Sequence, residues 1–275
     1  MSLANMRDLL RAARAKNRAV GAFSVSSIDM IAGVVRAAEE TNTPIILQVA
    51  QVRLPYSPLH VIGPAMLGAA RKVKVPVAVH LDHGVTLDCI REALEIGFTS
   101  VMFDGSRLPM EENIAKTREV IRMAAAYGAA VEAEIGVVGK TESGQALTAQ
   151  CADPEDAVRF VRETGVDALA VAIGNAHGVY EGTPELRFDV LERMQGRCGD
   201  AAFVLHGGTG ISAQDFRRAI GLGMNKINIA TASFMAVHAA AQGAEDYFDM
   251  SARMTAAAHA VALEHINIFG KEGIK

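Results

Sequence analysis

The chain has 275 residues and a formal net charge of −4; half of the residues are apolar and none is tryptophan. That length suits one large α/β barrel or two small domains, and the slight acidity offers no electrostatic footprint for nucleic acid. No apolar run reaches the ~18 residues of a membrane span, so no membrane partner is expected.

In chain order, residues 1–20 are basic and helix-like and lack an apolar h-region, so they do not read as a signal peptide. Eight β-rich apolar runs follow, at 19–23, 44–49, 75–81, 100–103, 130–135, 168–173, 203–205 and 226–229. Several are continuously apolar, as strands buried on both faces are. Between them lie amphipathic helical patterns at 27–41, 59–72, 87–96, 110–127, 154–164, 188–194 and 213–222. Asp153 before Pro154 and Ser212 before Asp215 mark helix starts, and Gly97, Gly128, Gly165 and Gly223 mark stops. The phrases EALEIGFTSVMF, FVRETGVDALAVAI and RAIGLGMNKINI share one rhythm of helix, glycine, strand. That rhythm predicts an α/β fold, a (β/α)8 TIM barrel with extra N-terminal and C-terminal helices, spanning 1–275 as one domain. The tail from about 231 to 269 reads as long, helical and alanine-rich, enough for the eighth helix and an oligomer contact. Cys89, Cys151 and Cys198 are scattered, with no CxxC spacing, which fits a reducing cytoplasm.

A barrel carries its chemistry at the C-terminal ends of its strands. His80-Leu81-Asp82-His83 ends the third run, Asp104 follows the fourth, and Glu132 and Glu134 lie on the fifth. Asn175-Ala176-His177-Gly178 follows the sixth, His206-Gly207-Gly208-Thr209 the seventh, and Asn228-Ile229-Ala230-Thr231 the eighth. His83, His177 and His206 thus share one rim, and three imidazoles with an open fourth position suit a catalytic zinc. One histidine at a strand end would more often be a packed residue; three on one rim favour the metal. His60, His238, His259 and His265 lie elsewhere and read as surface or packing residues. The turns of HGGTG and NIAT offer backbone N–H groups to a phosphate, although such glycines also serve tight turns alone. Asp82, beside His83, suits proton exchange with a hydroxyl. Glu142, in the polar loop GKTESG, reads either as a solvated acid or as an acid–base group on a closing loop. Glu134 and Asp104 point to the mouth, as partners of the histidines or an alternative metal position. Glu132 sits deeper and reads as structural. A Schiff-base route would need a lysine at a strand end. Lys226 reads as the start of the eighth strand, Lys74 precedes the third, and Lys140 lies in the loop. A water-activating metal hydrolase, or a sugar-phosphate binder without catalysis, are rival readings; the phosphate turns oppose the first, and Asp82 with Glu142 the second.

The phrases VAVHLDHG, SVMFDGSRLPMEENI, VEAEIGVVG, TGVDALAVAIGNAHGVY, LHGGTGI and KINIAT resemble the class II fructose- and tagatose-bisphosphate aldolases, in family order from about residue 19 to 231. The length and AIGNAHGVY look more like the tagatose-bisphosphate branch. The resemblance implies zinc on His83, His177 and His206, with Asp104 and Glu134 behind them or at an alternative metal position. It implies Asp82 as the acid/base at the aldehyde-derived oxygen, and Glu142 as the group that moves the proton at the ketose-derived carbon. It places Gly178, Gly207, Gly208, Thr209, Asn228, Ala230 and Thr231 around dihydroxyacetone phosphate, Asn228 also among the catalytic groups. It further implies a monovalent cation, Na+ or K+, near Gly178 and Gly207, and a homodimer or homotetramer. The implied reaction is reversible cleavage of a ketose bisphosphate, such as fructose or tagatose 1,6-bisphosphate, to dihydroxyacetone phosphate and glyceraldehyde 3-phosphate. Departures cluster around the substrate: Ser24 stands where Asn is common, Ala50 where Ser is, and Glu181 where Lys is. Arg53 is the candidate for a second phosphate. A ketose 1-phosphate with a non-phosphorylated aldehyde partner is the alternative substrate.

Overall fold

A computed structural model describes residues 2–138, 150–180, 182–270 and 273. Eight parallel strands close in chain order: β1 (Val20–Ser24), β2 (Ile45–Ala50), β3 (Val77–Gly84), β4 (Ser100–Phe103), β5 (Ala130–Ile135), β6 (Ala168–Val171), β7 (Ala202–Leu205) and β8 (Met224–Ile229), which pairs back with β1. Every strand residue is buried, because one face packs on the helices and the other fills the lumen. The predicted (β/α)8 barrel is the observed fold.

Helices α2 (Ile28–Glu40), α3 (Leu59–Lys72), α4 (Leu87–Ile96), α5 (Met110–Ala125), α6 (Pro154–Thr164), α7 (Phe188–Met194) and α8 (Ala213–Gly221) alternate with the strands. Their ends follow the sequence punctuation. Asp153 caps α6 by accepting from Glu155 N, and Ser212 caps α8 by accepting from Asp215 N. Gly97 and Gly165 close α4 and α6 at φ +108° and +69°, where only glycine is unstrained.

Two boundaries differ from expectation in ways that matter. The tail is two helices, α9 (Thr231–Ala241) and α10 (Tyr247–Phe269); Gly243 at φ +71° and the Asp246 cap break it. And β8 begins at Met224, so Lys226 is its third residue and lies inside the barrel.

The lumen is layered. At the bottom, α1 (Met6–Ala15) presents Met6, Leu9, Leu10 and Ala13 to small lining residues such as Ala78, Ala130, Ala168 and Ala202. Alanines leave room for the helix to plug the opening. Above them lie polar side chains that lead to the mouth.

Candidate active site at the barrel mouth

Successive strand residues face opposite sides of a sheet, so Asp82 and His83 should diverge. They do not, because the β3–β4 register shifts between Leu81 and Gly84 and His83 takes φ +44°. Such a bulge re-aims a side chain, and both groups reach the mouth. A positive φ on a histidine is strained, and strain of this kind persists where the surroundings enforce it.

His83, His177 and His206 each place a ring nitrogen within 4.8 Å of the others. Their ring centroids are 5.0, 4.6 and 5.8 Å apart. His83 Nδ1 faces Asp104 Oδ2 at 2.8 Å, and His206 Nε2 faces Glu132 Oε1 at 2.9 Å. If each carboxylate accepts an N–H, the remaining nitrogens, His83 Nε2 and His206 Nδ1, meet as two lone pairs only 2.9 Å apart. A metal ion between them, or the second proton of a His83 imidazolium, removes that conflict, and carboxylate-backed imidazoles are the usual metal-ligand arrangement. The residues therefore fit a divalent metal such as zinc. Burial opposes protonation of His83, yet Asp82, Asp104 and Glu134 raise its pKa well above 6.5. Burial, then the charge of His83, lowers His206. Burial favours the protonated Asp104, but His83 and Ser106 hold its carboxyl well below the usual range. Burial, then Asp104, raises Glu134. Asp104 and Glu134 with His83 form a second possible ligand set, as do His80, Asp82 and Glu132 lower down.

Asp82 is fully buried and held from two sides. Gln48 Nε2 donates to its Oδ2 at 3.0 Å and to Ser24 Oγ at 3.1 Å; Asn228 Nδ2 donates to its Oδ1 at 3.2 Å. Gln48 Oε1 and Asn228 Oδ1 are buried acceptors without a partner among the described residues. Unsatisfied buried acceptors are costly unless a ligand hydroxyl completes them. Gln48 escaped the sequence reading, although a glutamine within IILQVA, in a strand buried on both faces, is itself a signal.

Beyond the histidines, the loops after β6, β7 and β8 interlock. Tyr180 OH accepts from Ala176 N and donates to Gly207 O, both at 3.0 Å. Asn175 Nδ2 donates to His206 O at 3.0 Å. Gly207 has φ +65°, and a Cβ there would lie 2.1 Å from Ala176 O. Gly208 N donates to Asn228 O, and Thr209 Oγ1 accepts from Ala232 N at 3.0 Å. Thus Gly178, Gly207, Gly208, Thr209, Ala230 and Thr231 lie on linked turns beside the start of α9. Tyr180 and Asn175 were missed as the pins of these turns. The Arg53 guanidinium stacks 5.5 Å from the Phe234 ring of α9, joining the loops after β2 and β8. Ala50 ends β2. Lys140, Thr141, Glu142 and Glu181 lie outside the described residues.

Glu132 lies deeper, as its position on β5 suggests: besides His206 it meets Lys226 Nζ at 2.8 Å, with His80 Nε2 3.6 Å away, all buried. Burial and Lys226 lower the His80 pKa well below 6.5. A buried ion pair thus underlies the histidine cluster.

A family model described as fructose-bisphosphate aldolase class-II matches residues 4–274. A 6-phospho-5-dehydro-2-deoxy-D-gluconate aldolase of Halalkalibacterium halodurans is 40% identical over 234 residues, 84% of this chain and 81% of that protein. A fructose-bisphosphate aldolase of Staphylococcus aureus is 39% identical over 235 residues, 84% of this chain and 82% of that protein. Among solved structures, the YdjI aldolase of Escherichia coli K12 superposes with a TM-score of 0.89 at 36% identity, covering 98% of each chain.

Proposed function

The chain belongs to the class II fructose-bisphosphate aldolase family, and from that premise we propose that it is a zinc-dependent aldolase acting on a phosphorylated ketose. The observation that carries the reading is Asp82, buried and doubly held beside three convergent imidazoles. His83, His177 and His206 would hold the metal. Bound zinc supplies Lewis-acid chemistry, offsetting the negative charge that develops as the carbon–carbon bond breaks.

The chain's own groups account for the remaining steps. Asp82 takes the proton of the substrate hydroxyl whose oxygen becomes the aldehyde carbonyl. The bonding pair stays on the three-carbon phosphate half. Glu142 returns a proton to that carbon, and Asn228 and Gln48 keep the Asp82 oxygens aimed. The turns at Gly207–Gly208–Thr209 and Ala230–Thr231 hold the phosphate, and Gly178 with Gly207 would hold a monovalent cation that offsets its charge.

The two named relatives act on fructose bisphosphate and on a 6-phospho-5-dehydro-2-deoxygluconate. Both compounds carry the same ketone-and-phosphate end, and retro-aldol cleavage of either releases dihydroxyacetone phosphate. They differ in the aldehyde half, phosphorylated in one and carboxylated in the other. Ser24, Ala50 and Arg53 are the residues we assign to that half, so a non-phosphorylated aldehyde partner stands as the second reading beside fructose and tagatose 1,6-bisphosphate.

The test is a coupled assay for dihydroxyacetone phosphate with zinc-loaded and chelator-treated enzyme. Its substrates are fructose and tagatose 1,6-bisphosphate, ketose 1-phosphates and the phosphorylated dehydrodeoxygluconate. Chelator-sensitive release is expected from at least one. No release from any would overturn the proposal.

A further inference from the structure

We propose that a cavity beneath the barrel, on the face opposite the candidate active site, binds a small organic polyanion. The cavity is about 440 Å³, within the range of small-molecule sites. It opens between α1, α6 and the turn before β7. Arg7, Arg11 and Arg14 recur along α1 at helical spacing, so one face of that helix lines it, while the other face plugs the lumen. Arg162, in the last turn of α6, and Arg197 add two more guanidiniums. Against these five stand two lining carboxylates, Asp167 and Asp200, in a chain whose net charge is −4.

Three of the arginines are fixed in place. Arg7 forms a bidentate pair with Asp167, whose Oδ2 also accepts from Val131 N at 2.9 Å at the base of β5. Arg14 Nη1 donates to Gly199 O at 2.9 Å, and Arg197 is bidentate to Glu155 at 2.7 Å. Arg11 and Arg162 have no acceptor among the described residues. Like charges lining one cavity raise its potential, and low-dielectric walls focus it. The carbonyl end of α6 at Gly165 opposes an anion, but Arg162 sits on that same turn and offsets it. Leu10, Val158, Val161 and Val166 supply apolar walls. Guanidiniums beside apolar wall suit a phosphate or carboxylate carried on a short carbon skeleton, since the planar fork of arginine pairs with either oxyanion.

The experiment uses the full zinc-loaded chain and titrates phosphoenolpyruvate and inorganic phosphate by calorimetry. Wild type is compared with the Arg11→Gln/Arg162→Gln double variant. Both positions are exposed, so the fold should hold, and far-ultraviolet circular dichroism checks it. The proposal expects a phosphoenolpyruvate site in wild type whose affinity falls about tenfold or more in the double variant, with aldolase KM and kcat unchanged. Thermal stabilisation by the same ligand should fall in parallel. Identical isotherms for the two proteins would place all binding at the barrel mouth and overturn the proposal. Absence of saturable binding would overturn it equally. Neither outcome depends on the chain being an aldolase.

Discussion

Replacing Glu132 with glutamine isolates the ion pair under the histidines. Glu132 Oε2 lies 2.8 Å from Lys226 Nζ, poorly aligned for a hydrogen bond yet in direct charge contact. Both side chains are fully buried. Removing one member of such a pair leaves an uncompensated charge and costs ~3–5 kcal/mol, a large share of the ~5–15 kcal/mol that holds a typical protein folded. For a chain of this size that corresponds to a fall in Tm of roughly 5–9 °C. The amide also places an N–H₂ against either Lys226 or His206. The His206 tautomer that turns Nδ1 toward the metal loses its support, and zinc affinity should fall about 10- to 100-fold. Urea unfolding of the metal-free protein reads the first effect, and competitive zinc titration the second. The Glu132→Gln/Lys226→Met double variant should recover most of the stability, because a buried pair replaced as a unit costs little. Stability within ~1 kcal/mol of wild type for Glu132→Gln would refute this reasoning. A double variant no milder than the single one would refute it too.

Asp82→Asn should lower kcat about 10²- to 10⁴-fold while leaving zinc stoichiometry intact; activity within tenfold of wild type would remove Asp82 from the proton transfer. Gly207→Ala, at φ +65° with its Cβ 2.1 Å from Ala176 O, should cost at least ~2 kcal/mol in urea unfolding, and a neutral effect would mean that the loops after β6 and β7 are not locked together. His265 packs on Phe216 and Phe269, and burial lowers its pKa below 6.5. The folded state thus favours the neutral ring, so the stability it permits is present above about pH 6.5 and lost as pH falls below it. His265→Leu should flatten the fall in Tm between about pH 7 and 5, and equal slopes would sink the assignment. Burial, with Glu92, pushes the Cys89 thiol up to about 11. At pH 8 about one molecule in a thousand is thiolate there, so iodoacetamide should modify Cys89 far more slowly than a free thiol.

The strands and helices were legible because their cues are local. Continuous apolar runs, capping residues and terminal glycines act within one turn or one strand. The rim histidines were legible because the barrel topology itself assigns strand ends to one face. What was not legible depends on facing across the lumen. Lys226 stood two residues inside β8, not at its start, and that shift separates a barrel-bottom surface lysine from a buried ion-pair partner. Gln48 and Glu132 are polar residues in otherwise apolar surroundings; sequence shows that each needs a partner but not which strand provides it. The tail divides at Gly243 and Asp246, where an alanine-rich pattern outweighed a glycine and a cap.

The layering of the lumen explains why those polar residues occur where they do. On β5, Ala130, Glu132 and Glu134 lie two residues apart on one face. Ala130 packs in the cluster with α1, Glu132 meets Lys226 and His206, and Glu134 lies 3.5 Å from His206 at the mouth. On β3, Ala78, His80 and Asp82 make the same ascent, and His80 Nδ1 lies 2.9 Å from Ser100 Oγ. A wholly apolar interior would be simpler to fold, since each buried charge must find its partner before the lumen closes. It would also leave the second nitrogen of His206 without an acceptor, and an unoriented imidazole is a poor ligand. The middle layer thus trades stability for orientation. That is why the most damaging substitutions expected here lie below the reacting groups as well as among them.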